Sequence, residues 1–241
     1  MLPFLKYRLI SVIRCHENIT KEKFFKKHPA SFENVNLYKL TGQKNPYFFI
    51  SNKEQLIGQI QFGTIEFHTW ASKTKNINKP DIMVFDLDPD NNLQLKKLRQ
   101  AVKIVKEKLD ELNLKSFLKT SGGKGYHIVL PFKNVKNYKD FEKFAKDFSL
   151  LLENLYPNIF TTNIRKENRK GKIFIDYLRN KKGSTCVAPY SLRARDGAPI
   201  SFPISWEDLD KIKPNEINIK NYTKYLNSSW KDFFNINQII T

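Results

Sequence analysis

Two spacings of apolar residues recur along the chain, and each predicts its own kind of element. Short apolar runs rich in β-branched and aromatic residues predict strands. Longer segments that repeat apolar residues every three or four positions predict amphipathic helices. The predicted strands cover 8–15, 46–51, 82–90, 115–121, 126–132 and 172–178; the predicted helices cover 20–28, 92–113 and 138–156, with short helices over 204–212 and 218–226.

The segment 92–113 has the clearest helical pattern. Leu98, Val102, Val105, Leu109 and Leu112 follow one another at steps of three or four residues. They therefore share one face of the predicted helix, and the lysines between them face away.

The basic segment 20–28 predicts a short helix that begins at Thr20 as a possible N-cap. Lys23, Lys26 and Lys27 lie on this predicted helix. Three lysines on a helix commonly form a solvated face, and we treat a phosphate-binding role for them as the alternative.

The order of strands and helices has no regular βαβ rhythm, which predicts an α+β fold with mainly antiparallel sheets flanked by helices. No internal repeat, Gly/Ser linker or long charge block divides the chain. We expect one catalytic domain over 1–241, with a lighter N-terminal part at about 1–65, a core at about 66–206 and a C-terminal helical tail at about 207–241.

The chain is strongly basic. Its 42 Lys and Arg residues exceed the 24 Asp and Glu residues and give a net charge of +18. Such an excess is expected of a protein that binds polyphosphate. The sequence is also rich in Asn, Ile and Lys, which an AT-rich coding sequence produces without any functional demand, so charge alone leaves both explanations open.

Membrane and disulfide classes are not indicated. The longest apolar runs have about five residues, whereas a membrane helix needs ~20, and the N-terminal stretch has no secretory cleavage pattern. We expect a cytoplasmic protein with no membrane partner. Cys15 and Cys186 form no CxxC pair, so neither a disulfide framework nor a zinc site is predicted.

The predicted strand 82–90, IMVFDLDPD, ends in two aspartates. Residues two apart on a strand share a face, which places the Cα atoms of Asp86 and Asp88 about 6.5 Å apart. Their like charges favour a cation nearby, and Mg²⁺ or Mn²⁺ prefers such oxygen ligands. The alternative is that both carboxylates cap the following helix or pair with surface lysines.

A third carboxylate, Asp176, lies in the predicted strand KIFIDYL on the same face as Phe174 and Leu178. An acid in this apolar setting needs a partner or a metal. A salt bridge is one explanation. The other is that three strand-borne carboxylates hold two metals ~3.5–4 Å apart for an in-line phosphoryl displacement, as in polymerases.

The stretch KTSGGKGYHIVLP, residues 119–131, is a candidate phosphate-binding loop. Its glycines at 122, 123 and 125 let backbone N–H groups approach an anion. Ser121, Lys124 and His127 add a hydroxyl, a charge and an imidazole. It is not a Walker loop, because the glycines join two strands instead of opening a helix. A plain glycine hairpin with a solvated lysine is the alternative.

A series of sequence blocks along the chain closely resembles the polymerase domain of bacterial ligase D and its stand-alone relatives, members of the archaeo-eukaryotic primase superfamily. The blocks FDLDP, KTSGGKGYH, IDYLRN and VAPYSLRARDGAPISFPISW carry the resemblance, and GTIEFHTW matches the block before the catalytic strand. SVIRCHENITKEKFFKKHP is similar to the first block of that family, so the resemblance covers nearly the whole chain.

The resemblance implies a primase-polymerase fold and a template-directed nucleotidyltransferase that extends DNA ends or fills gaps, with Mn²⁺ favoured over Mg²⁺. It implies DNA primer-templates or ends and NTP or dNTP as partners, together with a ligase and a Ku-type end-binding protein. By similarity the metal ligands are Asp86, Asp88 and Asp176, and the nucleotide is held by Ser121, Lys124, His127, Arg169, Arg193 and, near the sugar, His68. Arg169 and Arg193 have a solvated or DNA-backbone role as their alternative, and His68 can simply pack against Trp70.

Two features depart from the family pattern. Arg179 stands three residues after Asp176, where ligase D polymerases usually have glutamine. The relatives also usually carry a further N-terminal segment whose lysines bind the 5′-phosphate across a gap. We therefore expect primer-template extension with little stimulation by a downstream 5′-phosphate.

Two other function classes are considered. A haloacid dehalogenase-type phosphatase also uses DxD after an apolar strand, but it expects Thr or Val where this chain has Asp90. A non-catalytic nucleic-acid-binding module explains the charge and the aromatic residues. It does not require three carboxylates in a basic protein.

Overall fold

The computed structural model describes residues 1–226 and 229–240. Its helices are α1 (Leu2–Leu5), α2 (Lys53–Gln61), α3 (Leu95–Glu111) and α4 (Tyr138–Leu155). Its strands are β1 (Arg8–Arg14), β2 (Phe24–Lys26), β3 (Asn36–Tyr38), β4 (Tyr47–Phe49), β5 (Thr64–Lys73), β6 (Ile82–Pro89), β7 (Phe117–Thr120), β8 (Tyr126–Pro131), β9 (Phe160–Thr161), β10 (Ile173–Asp176), β11 (Cys186–Val187), β12 (Ser191–Leu192), β13 (Ile200–Ser201) and β14 (Pro203–Ile204).

Two six-stranded sheets form the framework. The first has the order β11-β5-β1-β4-β3, with β2 also paired to β1, and the second has the order β14-β7-β8-β6-β10-β9. The pair β9–β10 is parallel, and the neighbouring pairs around the centre of the second sheet are antiparallel. The prediction of an α+β fold with mainly antiparallel sheets is confirmed.

The largest core lies between the second sheet and the helices α3 and α4. α3 buries Leu98, Val102, Val105 and Leu109 as its periodicity predicts. Leu112 was expected on the same face, but this was wrong: it follows the last helical residue and is 48% exposed. The helix ends before the apolar repeat does, so the repeat no longer fixes the direction of its side chain.

α4 begins with a capping box. The side chain of Asn137 accepts hydrogen bonds from the backbone N–H groups of Lys139 and Asp140, and Asp140 accepts one from the backbone of Asn137. This arrangement satisfies N–H donors that have no partner within the helix. The ring of Phe148 then packs 5.0 Å from that of Phe85, which fixes α4 against β6.

The predicted helix at 20–28 is wrong. Asn18 accepts hydrogen bonds from the backbone N–H groups of Thr20 and Lys21, forming a turn, so Thr20 is not an N-cap. Phe24, Phe25 and Lys26 then form β2, an edge strand on β1. Pairing with β1 outweighs the weak local helical pattern, and the lysines of this segment share no helical face.

The predicted strand at 172–178 ends earlier than expected. β10 stops at Asp176, and a 3₁₀ turn over Tyr177–Asn180 follows. Leu178 therefore does not share a strand face with Asp176. The amide of Asn180 bonds both the N–H and the C=O of Val84, each at 2.8 Å, and anchors this turn to β6.

The C-terminal part contains 3₁₀ turns at Trp206–Asp208, Tyr222–Tyr225 and Phe233–Asn235. The short helices predicted at 204–212 and 218–226 are thus present only as 3₁₀ turns. Positions 227, 228 and 241 of the predicted tail lie outside the described residues.

Candidate active site

Asp86 lies at the centre of the second sheet, on β6 between β8 and β10. It is paired across the strands with His127 on one side and with Asp176 on the other. His127 Nε2 is 3.3 Å from Asp86 Oδ1. Sheet pairing thus brings together two carboxylates and the imidazole that the sequence predicts at one site.

Arg179 joins the two facing carboxylates. Its Nε lies 2.9 Å from Asp176 Oδ2 and 3.4 Å from Asp86 Oδ2. The 3₁₀ turn after β10 brings Arg179 back over the strand end that carries Asp176. The residue that departs from the family pattern is therefore in direct contact with two predicted metal ligands.

The three carboxylates differ in how their charge is balanced. Burial raises the pKa of Asp86, but the neighbouring charges of His127 and Arg179 outweigh it and hold this pKa below the usual value. Partial burial and then the charge of Asp86 raise the pKa of Asp88. Burial also raises the pKa of Asp176. A further cation close to Asp88 and Asp176 would favour their ionised forms and offset the cost of their partial burial.

The donor set has the chemistry for a divalent metal, although the geometry is not that of a bound ion. Within the described ranges, no three Asp, Glu, His or Cys side chains are grouped closely enough to hold a metal. The guanidinium of Arg179 takes carboxylate oxygens that a metal needs. Carboxylate oxygens are the ligand type that Mg²⁺ and Mn²⁺ prefer. The carboxylates at these neighbouring strand ends therefore suit such an ion after Arg179 has moved away from them.

The glycine loop forms the hairpin between β7 and β8. A Cβ at Gly125 would lie 1.9 Å from the carbonyl oxygen of Leu87, so only glycine allows this approach to β6. The loop N–H groups do not face an anion as predicted: those of Gly123 and Gly125 donate to Ser121 Oγ, and that of Gly122 donates to Pro214 O. The Ser121 hydroxyl therefore stabilises the loop by accepting hydrogen bonds from its backbone.

Asp86 and Asp88 open onto a cavity of about 490 Å³ whose lining is mainly polar. Of the predicted nucleotide-binding residues, the lining contains Ser121, Lys124, His127, Arg169 and Arg193. His68 and Asp176 are not part of the lining. The lining also contains side chains that were not predicted as site residues, among them Asn91, Lys166, Arg179 and Arg195.

The cationic side chains that the sequence predicts at the site are held in place by specific contacts. Arg169 stacks on the ring of Phe174 at 3.6 Å, and its Nη1 is 3.8 Å from Asp88 Oδ2. Lys124 Nζ donates to Asn91 Oδ1. A basic cavity with side chains fixed in this way can bind a polyphosphate with less loss of side-chain entropy.

Arg193 and His68 converge on one carboxylate that was not predicted as a site residue. Arg193 Nε is 2.9 Å and His68 Nε2 is 2.8 Å from Glu66 Oε2. The motif EFHTW contains the signal, since Glu66 and His68 share a face of β5.

A buried lysine behind His127 was also missed. Lys119 Nζ lies 3.0 Å from His127 Nδ1 and 2.5 Å from Ser201 Oγ. Burial lowers the pKa of Lys119 to about 8. Cys186 Sγ lies 3.2 Å from the same imidazole nitrogen. Lysine is rarely buried. The residues next to Lys119 in the sequence do not indicate that Lys119 is buried.

Comparison with protein families gives a match to the LigD primase-polymerase domain over residues 1–234. The chain belongs to this family. A multifunctional non-homologous end joining protein LigD from Pseudomonas aeruginosa is 38% identical over all of the chain, and a bifunctional LigD from Bacillus subtilis is 27% identical over 87% of it. The chain spans 30% and 34% of the length of these two relatives.

A solved structure, the polymerase domain of Mycobacterium tuberculosis ligase D in complex with DNA, has the same fold. Its TM-score is 0.87 at 23% identity, covering 97% of this chain and 86% of that one. The predicted family and fold are confirmed, and the predicted enzyme class, a DNA-directed nucleotidyltransferase, agrees with them. Members of the family are generally metal-dependent. Among the described helices, none has the length and apolar character to cross a membrane.

Proposed function

We propose that the chain is a template-dependent primase-polymerase that extends or fills DNA ends with NTP or dNTP in end-joining repair. One observation carries the proposal: the carboxylates of Asp86 and Asp88 and the cationic side chains of Lys124, Arg169 and Arg193 line the same cavity. Nucleotidyl transfer needs both, because carboxylates hold metal ions and cations hold the triphosphate.

Asp86, Asp88 and Asp176 are the proposed ligands of two divalent cations, Mn²⁺ or Mg²⁺. Bound cations of this kind activate an attacking hydroxyl and stabilise the leaving oxygen of an in-line displacement. The chain's own side chains supply the rest: Lys124, Arg169 and Arg193 bind the triphosphate, and buried His127 faces Asp86 at the cavity wall.

DNA primer-templates or DNA ends are the proposed macromolecular substrate. The net charge of +18 supports this, as does the DNA complex of the structurally similar mycobacterial domain. The names of the two LigD relatives support a role in non-homologous end joining. A ligase and a Ku-type end-binding protein are the proposed partners in that process.

A non-catalytic nucleic-acid-binding module is the alternative from another class. The basic charge is the one observation that favours it. A binding module does not explain why Asp86 on β6 is paired with Asp176 on β10.

The test is incorporation of each labelled nucleotide on primed templates that differ in one template base, with Mn²⁺, with Mg²⁺ and with a chelator. We expect incorporation to follow the template base and to require the divalent ion. Tight binding of the primed template with no incorporation under any metal condition would contradict the proposal and support the binding module.

A further inference from the structure

Glu66 is a buried carboxylate on β5 that contacts His68, Arg193 and Ala194, and of these Arg193 lines the cavity. Glu66 as a whole is 3% exposed to solvent. Oε1 accepts a hydrogen bond from the backbone N–H of Ala194 at 2.8 Å, and Oε2 contacts Arg193 Nε and His68 Nε2. One side chain thus links β5 to the segment that carries Arg193.

The carboxylate acts only as an acceptor. Burial by itself raises the pKa of Glu66, but the hydrogen bond from His68 and the charge of Arg193 outweigh it and lower this pKa to about 2. Glu66 is therefore ionised at neutral pH, and an ionised carboxylate has no proton to donate.

This fixes the tautomer of His68. Because Glu66 can only accept, the Nε2 atom that lies 2.8 Å away must carry the proton. Burial also lowers the pKa of His68, so the ring is neutral at neutral pH. A neutral ring protonated at Nε2 has an unprotonated Nδ1, which can accept a hydrogen bond.

Glu66 also fixes the direction of Arg193. The Nε of Arg193 points to Glu66, and its Nη1 donates to the carbonyl of Ser121 at 2.7 Å. Two of the three guanidinium nitrogens are thus bound to protein. Nη2 makes no hydrogen bond within the part of the chain that the structure describes, so it is left for an anion in the cavity that Arg193 lines. A guanidinium held at two points keeps its fork orientation.

We propose that Glu66 is a positioning residue for nucleotide binding: it holds His68 as an acceptor at Nδ1 and holds Arg193 with Nη2 directed to the bound phosphates. The role of these two side chains towards nucleotide rests on the proposed function. The tautomer and the orientation do not, so they are tested separately.

The first test uses the unmodified protein without nucleotide. In ¹⁵N-histidine-labelled protein at neutral pH, with the signal of His68 assigned by its loss in His68→Gln, we expect a protonated Nε2 and an unprotonated Nδ1. A ring protonated at Nδ1, or at both nitrogens, would overturn the proposal whatever the activity of the protein.

The second test compares Glu66→Gln with Glu33→Gln. Glu33 is a matched control, because it is also buried and ionised with a pKa of about 2 and also holds an arginine, Arg14, but it is not in the cavity lining. Loss of a residue that orients metal ligands typically costs about 10–100-fold in metal affinity or activity, and we take the same range for a residue that orients nucleotide-binding side chains. We expect this increase in the KM for nucleotide only in Glu66→Gln, together with protonation of His68 at Nδ1 in part of the molecules.

Equal KM values for both variants, with both folded by thermal unfolding, would show that Glu66 has only a structural role. If the wild-type protein incorporates no nucleotide, the proposed function fails, and the NMR measurement on His68 still decides the tautomer.

Discussion

Asp86 on β6 lies directly across from Asp176 on β10, and the guanidinium of Arg179 forms a salt bridge with each carboxylate. Two like charges at neighbouring strand ends repel each other, so a cation between them is required. Arg179 provides one from within the chain. A divalent ion that binds the Oδ2 atoms of both carboxylates must displace Arg179, because the guanidinium contacts these two atoms.

Replacing Arg179 with Gln is therefore expected to strengthen Mn²⁺ binding in the absence of nucleotide. One positive charge is removed beside the carboxylates, and in a partly solvated site this is worth about tenfold in affinity. Titration followed by electron paramagnetic resonance of free Mn²⁺ measures the effect. Arg165→Gln, at an exposed arginine, is the control. Unchanged or weaker Mn²⁺ binding by Arg179→Gln would show that Arg179 does not compete.

Glu33 is expected to make stability depend on pH. Hydrogen bonds from Arg14 and neighbouring donors outweigh burial and lower its pKa to about 2, from 4.5. A carboxyl group with a lowered pKa in the folded state stabilises the protein above about pH 4.5, and this contribution is lost as the pH falls to about 2.

Thermal unfolding of wild type and Glu33→Gln between pH 6 and pH 3 measures this contribution. We expect a large difference in Tm at pH 6 that shrinks towards pH 3, because the variant has no group to protonate. A difference that stays constant across this range would contradict the ionised state of Glu33.

Gly125→Ala is expected to destabilise the hairpin next to Asp86. The added Cβ would lie 1.9 Å from Leu87 O, which forces β6 and the loop apart. Forced overpacking typically costs ~1–3 kcal/mol, and we expect the upper end or more. In the control Gly58→Ala the new Cβ meets no atom within 4 Å, and the helix α2 should gain up to ~1 kcal/mol. Equal Tm values for both variants would contradict this role of Gly125.

The central elements of the fold could be predicted because their signals are local. The apolar repeats of α3 and α4 and the run that ends at Asp86 each fix one element without reference to distant residues. The segment 20–28 could not be predicted in this way. Phe24 and Phe25 lie in a strand only because β1 offers an edge, and this depends on tertiary pairing.

The candidate site also contains some residues that the sequence shows and others that only the tertiary contacts show. The aspartates and the glycine loop are visible in the sequence as motifs. Glu66, Lys119 and the contact of Arg179 with Asp86 depend on side chains that approach from other strands or turns, and a single sequence does not show these distances.

The basic segment 20–28 shows how such contacts change an interpretation: Lys26 pairs with buried Glu33 at 2.6 Å. Weak stimulation by a downstream 5′-phosphate stays a prediction.

Primer extension by Asp88→Ala tests the central claim most directly. Asp147→Ala is the control, because it removes the same charge from an exposed position on α4, where Asp147 pairs with Lys143. If Asp88 holds a metal ion for nucleotidyl transfer, extension with Mn²⁺ should fall by several orders of magnitude in Asp88→Ala, while DNA affinity stays equal or rises slightly. Asp147→Ala should extend primers like wild type. Extension by Asp88→Ala at the rate of the control would contradict metal-dependent transfer at this site.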